Sequence, residues 1–284
     1  MARDDISVEE AERLDRTLTD ILDPVRATAM NAALGLPRKE FKSGDALPDF
    51  WHHAYFWDIE VEDRLGRDGH PKPGAFIPNT GLPRRMWAGG HLHFLEPVIL
   101  GQPAEKVSSI KAVDEKDGGT GKLAAVMVHH EIMQNGKVCV REDQTLIYRD
   151  AYDPEEPKPV YDHTLEAPEF AEEVVFSSVQ LFRYSAITFN GHRIHYDAPY
   201  AENGEGFEDV VVHGPLLAQQ LIMMAERHNV EVTRFQYRAT APLSVMEPAV
   251  ICAIRTGGGM RLWIEGTDRR VCMTAEVISG DGLS

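Results

Sequence analysis

The sequence predicts an α+β protein of two related halves, each a curved antiparallel sheet with one long helix. Three observations lead there. Strand-like text with a hairpin signal fills His91 to Arg149 and returns from Arg234 to Ser279. Between the two lies an acidic stretch with Pro154, Pro157, Pro159 and Pro168, where proline breaks any helix or central strand. Third, the halves echo each other. Pro97, Pro103 and Ala104 in the first match Pro242, Pro248 and Ala249 in the second, and Val138-Cys139-Val140 matches Val271-Cys272-Met273. The division is therefore a first domain over 1–150, a linker over 151–168 and a second domain over 169–284.

Each element has its own local reason. Ala11, Leu14, Leu18, Ile21 and Leu22 recur at helical spacing, so Ser7 to Leu34 reads as helix. Ser7 with Glu10 forms a capping box, Pro24 divides the segment in two and Gly35 stops it. Residues 44–90 hold Trp51, Tyr55, Phe56, Trp57, Phe76 and Trp87 among many Gly and Pro, without a period. They read as strand fragments joined by long loops, a kind of segment often used for binding. One strand is His91–Leu95. Leu123–Ile132 and Lys137–Tyr148 flank Asn135-Gly136, the strongest short hairpin signal. A strand at Glu173–Ser177 opens the second half. The run Pro215 to Ala225 is apolar on nearly all sides, which marks a buried helix, and Pro215 suits its first turn.

Composition excludes several classes. A formal net charge of -16 argues against nucleic-acid binding, which needs a basic surface. No apolar run reaches the ~20 residues of a membrane span, and Met1 to Leu14 lacks a secretory-signal profile. The expectation is a cytoplasmic protein without a membrane partner. Cys139, Cys252 and Cys272 are too sparse for a disulfide framework and read as inert thiols.

The densest polar cluster within apolar text runs from Tyr184 to Asp197 and carries Asn190, His192, Arg193, His195 and Asp197. Val211-Val212-His213-Gly214-Pro215 comes next and opens the apolar helix. A helix start offers unpaired N–H groups and a positive dipole end, which suit a developing oxyanion. Gly214 lets a ligand carbonyl approach closely. A nearby histidine can then move a proton near neutral pH. Hydration of an α,β-unsaturated thioester needs these parts. Spacing alone, however, fits a structural hydrogen-bonding histidine equally well.

Tyr184 through Asp197 resembles the hydratase motif of the MaoC-like and type-2 enoyl-CoA hydratases, a tyrosine and serine ahead of Asp-x-Asn-Pro-(Leu/Ile)-His-x-Asp. Ile194, His195 and Asp197 fit that motif. Asn190 stands at the aspartate position, His192 at the asparagine and Arg193 at the proline. The altered pattern, with Val212-His213-Gly214-Pro215 and Pro83-Arg84-Arg85-Met86-Trp87-Ala88-Gly89-Gly90, is similar to the type-2 hydroxyacyl-thioester dehydratases and to the mesaconyl-C(4)-CoA hydratases among them. The resemblance implies a double hot-dog fold, an acyl-CoA substrate, no metal and no redox cofactor. It assigns His195, Asn190 and Gly214 to catalysis, with Arg193, His192, Asp197, His213, Arg84 and Arg85 at the substrate. An amide cannot act as a base, so Asn190 is expected to hold water or the thioester.

Other signals are weaker. His91-x-His93 lacks a third ligand for a metal. His52-His53 and His129-His130 read as pairs pointing to opposite faces of strands. Gly257-Gly258-Gly259 is a hairpin turn, not a phosphate loop. The expected function is water addition to a short acyl-CoA, best matched by mesaconyl-C(4)-CoA to citramalyl-CoA. A fatty-acid-type dehydratase, a hot-dog thioesterase and a non-catalytic acyl-CoA-binding protein are the alternatives. A homo-oligomer is compatible with all of them.

Overall fold

The computed structural model describes residues 6–118, 121–156, 159–163 and 166–280. Residues 1–5 and 281–284, and Pro157 of the linker, lie outside that set. In chain order the elements are α1 (Val8–Ala11), β1 (Asp15–Ile21), α2 (Pro24–Ala33), β2 (Arg84–Phe94), β3 (Pro103–Gly118), β4 (Gly121–Gln134), β5 (Lys137–Arg149), β6 (Phe170–Val175), α3 (Ser178–Thr188), α4 (Ala198–Glu205), α5 (Gly214–Arg227), β7 (Arg234–Ala239), β8 (Pro248–Thr256), β9 (Gly259–Glu265) and β10 (Val271–Ile278). Short 3-10 turns occupy Trp51–Ala54, Glu62–Arg64 and Arg193–His195.

Local sequence explains most of these. The Asn135-Gly136 turn takes left-handed φ at both positions, as a tight hairpin between β4 and β5 requires. Ser7 and Glu10 form the capping box, although the helix they open ends after one turn. The rest of that predicted helix is a strand. Asp15–Ile21 pairs antiparallel with β3, and alternate side chains are half-buried. The helical spacing of Leu14, Leu18 and Ile21 was a coincidence of period; ladder bonds to β3 outweigh a weak propensity.

The ten strands form one sheet in the order β1-β3-β4-β5-β2-β7-β10-β9-β8-β6. Read outward from the β2–β7 junction, each half shows the same order, its second strand at the centre and its first at the edge. Equivalent loops make equivalent bonds. Cys139 O accepts from Leu95 and Glu96 N–H, and Cys272 O accepts from Thr240 and Ala241 N–H. Gly101 N–H donates to Leu22 O as Met246 N–H donates to Phe176 O. The internal echo in the sequence is thus a structural repeat, but the expectation of two separate sheets needs correction. The halves share one sheet because β2 and β7 pair over Gly89–His93 and Arg234–Arg238.

The expectation of a long helix in each half is also corrected. The loops flanking the helix position match again: Leu47 N–H donates to Val98 O, and Val212 N–H to Leu243 O. Asp49 therefore stands where Gly214 begins α5. Beyond Asp49 the chain makes a single 3-10 turn, with Phe50 and Phe56 at left-handed φ. Phe50, Trp51, Tyr55 and Phe56 are buried in the main core. In the second half, α5 packs on β7 to β10, with Leu216 through Ala225 buried.

No helix among the described residues is long and apolar enough to cross a membrane. All three cysteines are free and buried, and burial pushes the Cys252 and Cys272 thiols up to about 12.

Candidate active site

The cluster from Tyr184 to Asp197 begins on α3 and continues into a loop and the 3-10 turn that holds His195. Phe189 ends α3 in a left-handed conformation, which turns the chain back toward the start of α5. Val211 N–H then donates to Ile194 O at 2.8 Å, so the His195 turn and the α5 start are tied together.

His195 is 7 % exposed, and its Nδ1 lies 2.7 Å from Val211 O. A carbonyl oxygen can only accept, so Nδ1 carries the hydrogen and Nε2 keeps a lone pair. The ring stacks on His213 with centroids 3.7 Å apart. His213 is wholly buried, and its Nε2 meets Ser185 Oγ at 2.8 Å. His213 is thus a platform under His195 rather than a surface for a ligand. Gly214 is the first residue of α5 and is only partly covered. No acceptor among the described residues takes its N–H, as expected for a first helical turn. A Cβ on Gly214 would lie 2.5 Å from Trp87 Cε3, so glycine is required for Trp87 of β2 to close over the helix start.

Asn190 Oδ1 accepts from His192 N–H at 2.9 Å, which fixes the loop. Its amide nitrogen has no protein acceptor among the described residues. Arg193 and Asp197 form an internal ion pair at 2.6 Å, and Asp197 also caps α4 through Tyr200 N–H. The guanidinium holds the Asp197 carboxyl below the usual carboxylate range. Both side chains of the pair are spent on holding the loop.

The first half reaches across to this motif. Arg193 N–H donates to Asp68 O at 2.8 Å, and Arg193 Nη1 to Arg67 O at 3.0 Å. Gly69, at φ +86, packs on Gly191, where a Cβ would meet the carbonyl oxygen at 2.1 Å. Trp57 Nε1 donates to Ile187 O at 3.2 Å and its ring stacks on Phe189. The His70 ring lies 4.6 Å from that of His192. Asp68 and His70 belong to an aperiodic loop and were not expected at the site; the only local hint is their setting between Gly66, Gly69 and Pro71. A cavity of about 380 Å³ opens beside them, lined also by Arg85, Leu82 and Tyr148.

The two predicted arginines of β2 separate. Arg84 Nε donates to Glu205 at 2.9 Å and its Nη2 to Glu205 O at 3.0 Å, so it is committed to α4. Arg85 faces the cavity.

Burial sets the electrostatics. It lowers His195 to about 4 and His192 to about 2, and His70 and His213 well below the ordinary histidine range, with neighbouring His and Arg85 charges adding to the effect on His70 and His192. All four imidazoles are neutral at pH 7. His192 Nε2, His213 Nδ1, Tyr184 Oη and Trp87 Nε1 are buried without a protein partner. His192 among them stands beside His70, where an unpaired buried polar atom can receive a polar group or water.

Two groups of metal-ligand type converge among the described residues. Asp68, His70 and His192 form one, and His52, His53 and Glu142 the other, with ligand atoms within 4.8 Å of one another. The second corrects the reading of His52-His53. A 3-10 turn, not a strand, carries them, and both rings reach Glu142, at 3.1 and 3.5 Å. His129 and His130 do diverge along β4, to Asp143 and Ser108.

Residues 50–245 match the model of the hydroxyacyl-thioester dehydratase type 2 family. The chain is 37% identical over 262 residues to the mesaconyl-C(4)-CoA hydratase of Chloroflexus aurantiacus, covering 90% of this chain and 91% of that protein. It is 26% identical to the mitochondrial hydroxyacyl-thioester dehydratase type 2 of Schizosaccharomyces pombe, over 93% of this chain and 91% of the other. A MaoC-like dehydratase from Phytophthora capsici superposes with a TM-score of 0.71 at 13% identity, over 98% of this chain and 100% of that one. At that identity the superposition speaks for the fold alone.

Proposed function

We propose that this chain, which belongs to the hydroxyacyl-thioester dehydratase type 2 family, adds water to the α,β double bond of a short acyl-CoA, with mesaconyl-C(4)-CoA to citramalyl-CoA as the best-matched reaction. It is a hydratase or dehydratase by family, and the hot-dog fold goes with that class. The observation that carries the reading is the pairing of His195, with a fixed tautomer and an Nε2 without a partner among the described residues, and the N–H at the start of α5, likewise without an acceptor among them.

In this reading the thioester carbonyl docks against Gly214 N–H. The helix dipole and that N–H stabilise the enolate oxygen as it forms. His195 Nε2 takes a proton from water as the water oxygen bonds to the β-carbon. The same nitrogen then returns a proton to the α-carbon, leaving His195 neutral again. The Asn190 amide N–H groups hold the water or the thioester. His192 walls the pocket, while Arg193 with Asp197 and His213 with Ser185 hold the loop and the catalytic ring. No step calls on a metal or redox cofactor.

The repeated strand order supports reading the chain as a double hot-dog, with 1–150 as a degenerate module, 151–168 as linker and 169–284 as the catalytic module. A cytoplasmic location and a homo-oligomeric state remain part of the proposal. The test is incubation with mesaconyl-C(4)-CoA, crotonyl-CoA and a longer enoyl-CoA, with products resolved by mass. A gain of one water supports the proposal and ranks acyl preference. Released free CoA points instead to a thioesterase, and no change to an acyl-CoA-binding protein.

A further inference from the structure

The 3-10 turn that follows Asp49 in the first half carries a cluster the proposed chemistry does not use. His52 and His53 sit side by side on the turn Trp51–Ala54, their ring centroids 4.4 Å apart. Both turn Nε2 toward one carboxylate, Glu142 of β5, which is 1 % exposed. His52 Nε2 lies 3.1 Å from Oε2, and His53 Nε2 lies 3.5 Å from Oε1. The first contact is a hydrogen bond. The second is not, so Glu142 Oε1 and His53 Nε2 are buried without a hydrogen-bond partner among the described residues. Buried polar atoms are rarely left unpaired, so two that face each other call for a third atom that bonds both. Lys106 feels the charge of Glu142 but forms no ion pair with it among the described residues, and His130 Nδ1 is taken by Ser108 Oγ at 2.7 Å. The two imidazoles are therefore the groups that meet the carboxylate.

We propose that His52, His53 and Glu142 form a zinc site that pins the turn Trp51–Ala54 to β5. A tetrahedral ion with ligands at about 2.0–2.2 Å holds them about 3.3–3.6 Å apart. The two N–O separations, 3.1 and 3.5 Å, lie close to that range, and all three ligand atoms lie within 4.8 Å of one another. Two imidazole nitrogens with one carboxylate suit zinc better than magnesium or calcium, which take oxygen ligands. Tyr237 Oη, also buried without a partner and within reach of the Glu142 charge, or a water completes the set. The site adds a metal where the resemblance implied none, but it serves structure. It takes no part in the proton transfers assigned to His195 and does not depend on the proposed substrate. The other group of this type, Asp68, His70 and His192, is the weaker candidate. Its Asp68 Oδ1 already accepts from His70 N–H at 3.1 Å, and the Arg85 charge acts on all three side chains.

The test measures zinc bound to the whole chain by elemental mass spectrometry after gel filtration, for the wild type, His53→Gln, Glu142→Gln and His70→Gln. The wild type is expected to hold about one zinc per chain, as purified or after exposure to micromolar zinc chloride. Chelation with EDTA should lower its Tm by several degrees, because an ion bound only by the folded state stabilises it. His53→Gln and Glu142→Gln should bind zinc at least about tenfold more weakly and lose the chelator effect on Tm. His70→Gln should keep both. Circular dichroism checks that each variant is folded. Should Glu142→Gln not fold, His53→Gln against His70→Gln decides alone, since His53 is only partly buried and glutamine keeps a polar group there. A wild type that holds no zinc and takes none up overturns the inference and leaves a proton as what joins His53 to Glu142. Zinc lost in His70→Gln but kept in His53→Gln overturns it in favour of the other group. Equal binding by all folded variants marks adsorption at the surface and overturns it too.

Discussion

The two halves share a strand order and equivalent loop bonds, yet differ at the position where a helix begins. In the second half Gly214 opens α5, whose start is tied to the His195 turn through the bond from Val211 N–H to Ile194 O. In the first, Asp49 takes the same place, and a four-residue 3-10 turn flanked by buried aromatics follows in place of a long helix. The difference teaches what the chemistry depends on. Among the described residues ten strands make the scaffold, whereas the proposed oxyanion position needs a helix start. Residues 57–83 follow as a loop segment. That segment crosses to the other half, where Trp57, Arg67, Asp68, Gly69 and His70 wall its motif.

The comparison breaks if the two helix positions respond alike. Gly214→Val forces a side chain into Trp87 and displaces the oxyanion donor, so kcat should fall about 10²-fold or more. Asp49→Asn, at the equivalent position, should stay within about threefold. Steady-state kinetics on both variants decides, and similar losses would sink the division of labour.

The crossing loop gives the next effect. Gly69→Ala places a Cβ 2.1 Å from Gly191 O at a left-handed φ, so backbone must move. Expected are a loss of about 1–3 kcal/mol in stability and a clear drop in kcat/KM. Gly44→Ala, also at left-handed φ but with open space around it, should cost some stability and spare the kinetics. Urea unfolding alongside kinetics separates the two; unaltered kinetics in Gly69→Ala would remove the loop from the site.

Acid acts on both halves. The unfolded chain takes protons on histidine at about 6.5, whereas His52 and His195 are lowered to about 4 in the fold. Between those values these imidazoles bind more protons in the unfolded state, so they lower stability as pH drops from 6.5 to 4 by up to about 1.4 kcal/mol per pH unit each, opposed by Asp49 and Glu226, which burial raises to about 6 and about 7. Thermal unfolding across that window checks the sign. Since the base must be neutral, the acid limb of kcat/KM should lie nearer 4 than 6.5. A limb at 6.5 would mean that His195 is solvated.

Much of this was legible in the sequence where a signal is local. Asn135-Gly136 demands its turn, and the spacing of Pro97 and Pro103 against Pro242 and Pro248 marked the repeat. His195 and Gly214 were singled out by the resemblance of their motif, since their spacing alone fitted a structural histidine equally well. Non-local facts were hidden. Nothing in Asp15–Ile21 says that β3 will pair with it, and nothing in Asp68 or His70 names a motif far along the chain. The fates of Arg84 and Arg85 depend on strand phase and on Glu205, which periodicity alone does not supply.

The central claim is that His195 of the second half moves the proton. The most direct measurement is kcat/KM of His195→Ala on the preferred enoyl-CoA, with products resolved by mass and folding checked by near-ultraviolet circular dichroism. The account predicts a loss of about 10²–10⁴-fold in a folded protein. Water addition within tenfold of the wild-type rate would contradict it.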